Sequence, residues 1–257
     1  MRRRWLLLPL AAATLAAIAV WPVTGRTLAA RAESALSTPR GDRAAAAAAR
    51  VRPALDRDLA AASLAFGAPV FIRLFKAERE LEVWVDDGRR YRLFRTYPIC
   101  TWSGKLGPKL RQGDGQSPEG FYRVGRGQLN PHSQYHLSFN LGYPNAYDRA
   151  HRRSGDFLMV HGSCVSIGCY AMGDAGIEEI YTLLDAALAN GQREAQVHAF
   201  PFRFERRSEA SWSGDAWAGF WRNLREGDRA FLATGRPPRI SVAERRYVVS
   251  ETATPAR

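Results

Sequence analysis

The sequence predicts a mainly β domain with one or two packed helices, preceded by an apolar N-terminal leader. Short runs of β-branched and aromatic residues alternate with turns from residue 70 onward, which is typical of antiparallel strands. Two later segments carry apolar residues at helical spacing. The chain has 257 residues, 46% of them hydrophobic, which is enough for one domain with a sizeable core and short appendages.

The first 32 residues have the composition of an export signal. Arg2-Arg3-Arg4 forms a positive start, an apolar run follows from Trp5 to Val23, and Ala30-Arg31-Ala32 offers a cleavage site. Because the run is also long enough to cross a bilayer, residues 1–32 are either a signal peptide or a membrane anchor. Both alternatives place the rest of the chain in the periplasm or cell envelope, with membrane contact only through this segment.

Residues 33–67 are predicted to form a linker or a helical stalk. The alanine run from Ala44 to Ala49 has high helix propensity, and Asp56–Ala60 continues the same composition. The composition then becomes β-rich, so we place a single folded domain at residues 68–250.

The domain begins with three predicted strands at Val70–Phe75, Glu80–Val85 and Tyr91–Tyr97, the last two joined by an Asp-Asp-Gly turn. A loop rich in glycine and proline covers residues 101–120, and Phe121–Val124 returns to strand. These elements predict a meander followed by a long loop.

The second half of the domain alternates loop, strand and helix. Residues 128–156 are loop-rich, and Phe157–Val160 is a short apolar strand that ends at His161. A helix after Cys169 is predicted to be capped by Asp174 and to end at Asn190-Gly191. Two further elements are predicted to pack into the core, a strand at Val197–Phe200 and a helix with Trp217, Phe220, Trp221 and Leu224.

The formal charge of +12 suggests a nucleic-acid-binding protein until its distribution is considered. Eight arginines and two acidic residues lie in the first 50 positions, so this stretch carries half of the excess. The remainder is mildly basic and has no lysine or arginine stripe interleaved with aromatic residues. We therefore expect no nucleic-acid partner.

One segment, Val160–Met172, concentrates the residue types that carry chemistry. It holds His161 and two of the three cysteines of the chain, Cys164 and Cys169. A thiol beside an imidazole can become a nucleophilic thiolate at neutral pH. We therefore predict Cys169 as the nucleophile and His161 as the general base.

Small and polar neighbours complete this hypothesis. Backbone N–H groups at Gly168 and Cys169 are predicted to stabilise an oxyanion, because a helix is expected to follow them. Gly162 leaves room beside the imidazole, and Ser166 is either a hydrogen-bond donor near the site or a turn residue. His136 is the reserve candidate for lining the cleft, and the other histidines are expected to be structural.

Counting cysteines leaves alternatives open. In an oxidising compartment two of Cys100, Cys164 and Cys169 are expected to pair, but the sequence does not assign the pair. A zinc site made of His161, Cys164 and Cys169 is a rival hypothesis, although the spacing lacks the paired cysteines of structural zinc sites. We expect neither a metal nor an organic cofactor.

The order of these motifs resembles the L,D-transpeptidase catalytic domain, the YkuD-type fold, and specifically its YafK-like branch. The resemblance covers about residues 68–250. The matching segments are the strand Val70–Phe75, Pro98–Pro108, Ser117-Pro118-Glu119-Gly120, His161-Gly162, and Ser166 to Met172 with its Gly168-Cys169 pair.

The resemblance implies a β-sandwich and an enzyme of cell-wall metabolism that acts on peptidoglycan stem peptides. Cys169 would attack the carbonyl of the diaminopimelate residue, and the acyl-enzyme would pass to an amine. Ile167 stands where most members carry a second histidine, and Ala171 where they carry an arginine, with Arg123 and Arg149 as guesses for its replacement.

These departures leave the acceptor open. The alternatives are a hydrolase that cuts the same bond, for example to release a peptidoglycan-anchored lipoprotein, and a non-catalytic peptidoglycan-binding module.

Overall fold

The computed structural model describes residues 42–250 of the chain. The predicted leader at 1–32 lies outside the described residues, and so do 33–41 and 251–257. Export and anchoring therefore stay predictions. Within residues 42–250, none of the helices is both long and apolar enough to cross a membrane.

Four helices and twelve strands make up the described chain. The helices are α1 (Asp42–Ala61), α2 (Ala146–Ala150), α3 (Gly173–Ala189) and α4 (Ala218–Thr234). The first six strands are β1 (Val70–Phe75), β2 (Glu80–Asp86), β3 (Tyr91–Pro98), β4 (Thr101–Trp102), β5 (Gly120–Gly125) and β6 (Leu129–Asn130). The last six are β7 (Ser138–Asn140), β8 (Met159–His161), β9 (Tyr170–Ala171), β10 (Glu194–Phe200), β11 (Arg239–Ala243) and β12 (Arg246–Ser250).

The strands form two five-stranded sheets and a hairpin. One sheet has the order β3-β2-β1-β10-β5, the other has the order β4-β9-β8-β7-β6, and β11 pairs with β12. Strand β1 is buried along its whole length because it lies in the middle of its sheet with side chains packed on both faces. The predicted mainly β fold class is confirmed, and so is the opening meander, in which β1, β2 and β3 pair antiparallel.

The hairpin of β11 and β12 was not predicted from the sequence. Its turn uses Glu244 and Arg245, both with positive φ, in place of the Asn-Gly or Asp-Gly pair that marks such turns. Each of its strands also begins with an exposed arginine, Arg239 in β11 and Arg246 in β12. The turn signal is therefore missing from the sequence, although the pairing is regular.

Helix α3 packs between the sheets and helix α1. Its buried face includes Ile177, Ile180, Leu184 and Leu188, as the helical spacing predicts, and it ends at Asn190. The prediction that Asp174 caps this helix is wrong. The cap residue is Met172, and the Asp174 carboxylate instead accepts the Ser163 N–H at 2.7 Å.

Helix α1 lies within the segment predicted as linker or stalk, and it contributes to the main core. Ala47, Leu55 and Leu59 are fully buried in the same cluster as Leu184 of α3. Burial of these apolar side chains stabilises the helix against the domain. A second, aromatic cluster lies under α4, where Phe220, Trp221 and Leu224 are buried as predicted, and Trp217 is partly buried against them.

Candidate active site

The pairing of β8 and β9 brings the end of β8, which carries His161, next to the segment that carries Cys169. The two strands run parallel, with Val160 opposite Tyr170 and His161 opposite Ala171. Residues that pair across strands share a face, and side chains alternate along each strand. Cys169 lies directly before β9, and its Sγ accepts the N–H of Met159, which is two residues before His161 on β8.

The His161 ring is buried, and one of its nitrogens is already committed. Nδ1 lies 2.6 Å from the carbonyl oxygen of Gly162, which can only accept a hydrogen bond. Nδ1 therefore carries the proton, and Nε2 presents a lone pair, which is the form a general base needs. Burial lowers the pKa of His161, although the Gly162 carbonyl opposes this, so the neutral ring is favoured.

Cys169 is the free thiol of the described chain, and it is half-buried. Its Sγ lies 3.7 Å from the Phe157 carbonyl oxygen, to which the thiol donates, and accepts the Met159 N–H at 3.4 Å. Burial raises the pKa of the thiol, and the Met159 N–H and the charge of Lys109 only partly offset it. Cys169 and His161 are therefore both neutral at rest, and within residues 42–250 the structure shows no hydrogen bond between them.

Gly162 and Gly168 fit positions that exclude larger residues. A β-carbon at Gly162 would lie 2.7 Å from a carboxylate oxygen of Asp174 and 2.8 Å from the Tyr135 carbonyl oxygen. Gly168 has a φ of +121°, which L-residues with side chains rarely adopt. The two glycines therefore set the course of the backbone on both sides of the active-site loop.

Serine hydroxyls hold the backbone of Cys169. Ser166 Oγ and Ser117 Oγ each donate to the Cys169 carbonyl oxygen at 2.8 Å. Ser166 Oγ also accepts hydrogen bonds from Ser103 Oγ at 2.6 Å and from the Gly168 N–H at 3.2 Å. Ser166 thus supports the loop rather than acting only as a turn residue. The sequence did not predict these roles for Ser103 and Ser117, although both lie in segments that carry the family resemblance.

The sequence analysis also did not predict a fully buried ion pair between Lys76 and Glu119. Lys76 Nζ lies 3.0 Å from Glu119 Oε1, and it donates to the carbonyl oxygens of Lys105, Gly107 and Ser117. Glu119 in turn accepts the Gly107 N–H and the Trp221 ring N–H. Burying a charged lysine costs free energy unless it is paired and hydrogen-bonded. Because the partners of Lys76 all lie in residues 101–120, these contacts fix the shape of that loop. The signal of this ion pair was the charged Glu119 within an otherwise small and apolar motif.

A disulfide joins Cys100 to Cys164. The pairing resolves the alternative that the sequence left open, because it leaves Cys169 free. It also removes Cys164 from the proposed zinc ligands, and among residues 42–250 there is no cluster of three metal-ligating side chains. The bond ties the active-site loop to the chain just before β4.

The other candidates lie in different surroundings. The His136 ring is directed to Glu178 of α3, with Nε2 2.7 Å from Oε1. This contact holds the loop that carries His136 against α3. Arg123 lies on β5 of the other sheet, 3.7 Å from Glu194, and Arg149 donates to the Pro144 carbonyl oxygen. Within the described residues neither arginine contacts Cys169. The positive charge that acts on Cys169 comes from Lys109.

Comparison with known proteins identifies the family of this chain. The family model for the YkuD L,D-transpeptidase catalytic domain matches residues 69–207. The chain belongs to this family. The predicted resemblance is therefore confirmed, and the protein falls in an enzyme class related to peptidoglycan.

A close relative comes from Escherichia coli K12. The protein named "Putative L,D-transpeptidase YafK" is 49% identical over 185 residues, which is 72% of this chain and 75% of that protein. The same name and identity apply to the protein of Escherichia coli O157:H7. The predicted resemblance to the YafK-like branch is therefore confirmed.

Two solved structures are more distant. The helical cell shape determining protein Pgp2 from Campylobacter jejuni is 24% identical with a TM-score of 0.43, over 52% of this chain and 48% of that one. Bdellovibrio bacteriovorus Bd1075 is 19% identical with a TM-score of 0.37, over 63% of this chain and 60% of that one. The chain thus spans about half to three-fifths of these proteins.

Proposed function

We propose that this protein is a cysteine-dependent L,D-transpeptidase of peptidoglycan metabolism, with Cys169 as the nucleophile and His161 as the general base. One observation carries the proposal. The free thiol of Cys169 accepts the N–H of Met159 on β8, and the same strand ends at His161, whose imidazole has an available Nε2. This is the pair that thiol acyl transfer requires.

The first half of the reaction forms a thioester. The thiol turns from the Phe157 carbonyl toward His161, whose Nε2 takes its proton. The thiolate attacks the carbonyl carbon of a stem-peptide diaminopimelate residue. The tetrahedral intermediate collapses as His161 returns the proton to the leaving amine, so that a D-amino acid departs and the acyl group stays on Cys169.

The second half reverses these roles. An acceptor amine attacks the thioester, His161 takes its proton, and the Cys169 thiol is restored. The Gly168 N–H already donates to Ser166, so we assign oxyanion stabilisation first to the Cys169 N–H. Every step uses side chains and backbone of this chain.

The disulfide supports a location outside the cytoplasm. Bonds of this kind persist in oxidising compartments such as the periplasm. Together with the predicted leader, the Cys100–Cys164 bond supports an enzyme of the cell envelope. Peptidoglycan stem peptides are the substrate class that we propose there, and contact with the inner membrane is left to residues 1–32.

Exposed apolar side chains in the segment that leads to Cys169 favour the hydrolase as a second candidate. The Phe157, Val165 and Ile167 side chains are 69%, 54% and 88% exposed, and Tyr135 lies beside the His161 ring. Apolar side chains grouped on a surface mark sites that bind other molecules. These exposed apolar side chains could contact a protein-borne leaving group, as in a peptidoglycan-anchored lipoprotein, whereas a free polar amino acid offers them little apolar surface.

Purified muropeptides with and without an added D-amino acid distinguish these outcomes by mass spectrometry. An exchanged peptide supports the transpeptidase, and loss of a crosslink or lipoprotein remnant without exchange supports the hydrolase. Cys169→Ala is expected to abolish either product. Binding of muropeptides with no turnover by the wild type would leave the non-catalytic module as the function.

A further inference from the structure

Helix α1 lies outside the matched family domain, yet it contacts a loop beside the candidate base. Arg43 Nη1 donates to the carbonyl oxygen of Ser133 at 2.7 Å and to that of His136 at 2.8 Å. These two carbonyls flank Tyr135 in the chain. One guanidinium nitrogen therefore fixes both ends of the short segment that carries the tyrosine.

A second contact holds the same loop from the other side. His136 Nε2 lies 2.7 Å from Glu178 Oε1 of α3, and Arg50 of α1 donates to Glu178 through Nε at 3.2 Å and through Nη2. Burial raises the pKa of Glu178, but the hydrogen bonds from Arg50 and His136 outweigh it and lower that pKa. The carboxylate therefore stays charged and binds both partners. The loop is clamped between the two helices.

The clamped loop contacts His161 in two ways. The Tyr135 ring lies over the imidazole, with 4.7 Å between ring centroids and 30° between planes. The Tyr135 carbonyl and His136 Cβ also close the space behind Gly162, whose own carbonyl orients His161. His136 has a φ of +70°, which is unfavourable for a residue with a side chain and persists only where contacts hold it.

We propose that Arg43 is a positioning residue for the reaction. By fixing Ser133 and His136, it keeps Tyr135 against the His161 ring and limits the ring orientations that present Nε2 to Cys169. Helix α1 is then part of the active site rather than only a connection to the leader. The inference rests on the proposed function, because it assigns a task within the same reaction.

The experiment compares two arginines of the same helix. Arg52 is the matched control, since it pairs with Asp56 at 2.6 Å, lies over the Phe66 ring, and makes no contact with the 133–136 loop. Arg43→Ala, Arg43→Lys and Arg52→Ala are made in the full chain. For each variant we measure kcat and KM on purified tetrapeptide muropeptides and the pH profile of Cys169 alkylation by iodoacetamide.

Arg43→Ala is expected to lower kcat about tenfold with little change in KM, because the substrate still binds but the base is misplaced. Its alkylation profile should shift, Arg43→Lys should recover part of both effects, and Arg52→Ala should match the wild type. Equal losses in Arg43→Ala and Arg52→Ala, or no loss in either, would overturn the proposal. If the wild type turns over no muropeptide, the proposed function fails, and an unchanged alkylation profile would separately overturn the role of Arg43.

Discussion

Two buried histidines on sheet strands, His161 and His198, have different surroundings. The His161 side chain is 1% exposed and the His198 side chain 0%. Burial lowers the pKa of both rings, and for His198 the charges of Arg73 and Arg123 lower it further. By burial and protonation alone the two residues are therefore alike.

Their nitrogens separate them. His198 is enclosed by Phe71 and Phe121, with ring centroids 4.7 and 4.5 Å away, and its Nε2 lies 3.0 Å from Gln196 Oε1. Its Nδ1 has no hydrogen-bond partner among residues 42–250. His161 instead commits Nδ1 to a carbonyl, and it lies two residues after Met159, whose N–H donates to the free thiol of Cys169. A catalytic base therefore needs an available nitrogen beside a nucleophile, and burial does not supply it.

Replacing each histidine gives the largest expected contrast. His161→Gln should lower kcat/KM by about 10³-fold, since it removes the proposed general base for a thiol whose pKa is raised. His198→Phe should leave kcat/KM within about threefold of wild type, because it replaces one ring with another inside an aromatic cluster. Steady-state kinetics on muropeptides measures both, and equal losses would remove the distinction between the two sites.

The buried ion pairs of the two regions sharpen the comparison. Glu119→Gln should cost about 3–5 kcal/mol of unfolding free energy, because it leaves Lys76 buried without a counter-charge. It should also lower kcat, since Ser117 in the same cluster holds the Cys169 carbonyl. Urea denaturation and kinetics measure the two effects.

The matched control lies near His198. Asp228 pairs with the buried Arg73, which lies opposite His198 in the strand register. Asp228→Asn should cost less unfolding free energy than Glu119→Gln, because Arg73 keeps Glu82 as a partner at 3.3 Å, and it should leave kcat unchanged. A loss of kcat in Asp228→Asn equal to that in Glu119→Gln would show that both effects follow from general destabilisation.

The disulfide should stabilise the active-site region by a smaller amount. Its two cysteines are 64 residues apart, and closing a loop of that length stabilises the fold by about 2–4 kcal/mol. The Cys100→Ala/Cys164→Ala double variant should lose that free energy in urea denaturation and keep a reactive Cys169. Unchanged stability in the double variant would indicate that the bond is absent in the protein as purified.

The smallest expected effect is a pH dependence of stability. Both folded-state histidine pKa values lie below the unfolded value, so the unfolded chain binds more protons as pH falls below about 6.5. Unfolding free energy should therefore decrease from pH 7 to pH 5. His198→Phe should remove the larger part of that decrease, which denaturation at both pH values measures. A decrease as steep as that of the wild type would assign the effect to other groups.

The sequence indicated the candidate site residues but not the contacts that hold them in place. Rare residue types and their spacing indicated His161 and Cys169, and β-rich runs indicated the meander that the structure confirms. The supporting contacts were not predictable, because they join residues far apart in the chain. Lys76 meets Glu119 across 43 positions, Arg43 meets the 133–136 loop across about 90, and Cys100 meets Cys164 across 64.

Intact-protein mass spectrometry after mixing the enzyme with tetrapeptide muropeptides tests the central claim most directly. The wild type should gain the mass of the acyl group left after loss of the terminal D-amino acid, and peptide mapping should place it on Cys169. His161→Gln should accumulate this adduct far more slowly, and Cys169→Ala should form none. An adduct that persists in Cys169→Ala, or full turnover by that variant, would contradict the account.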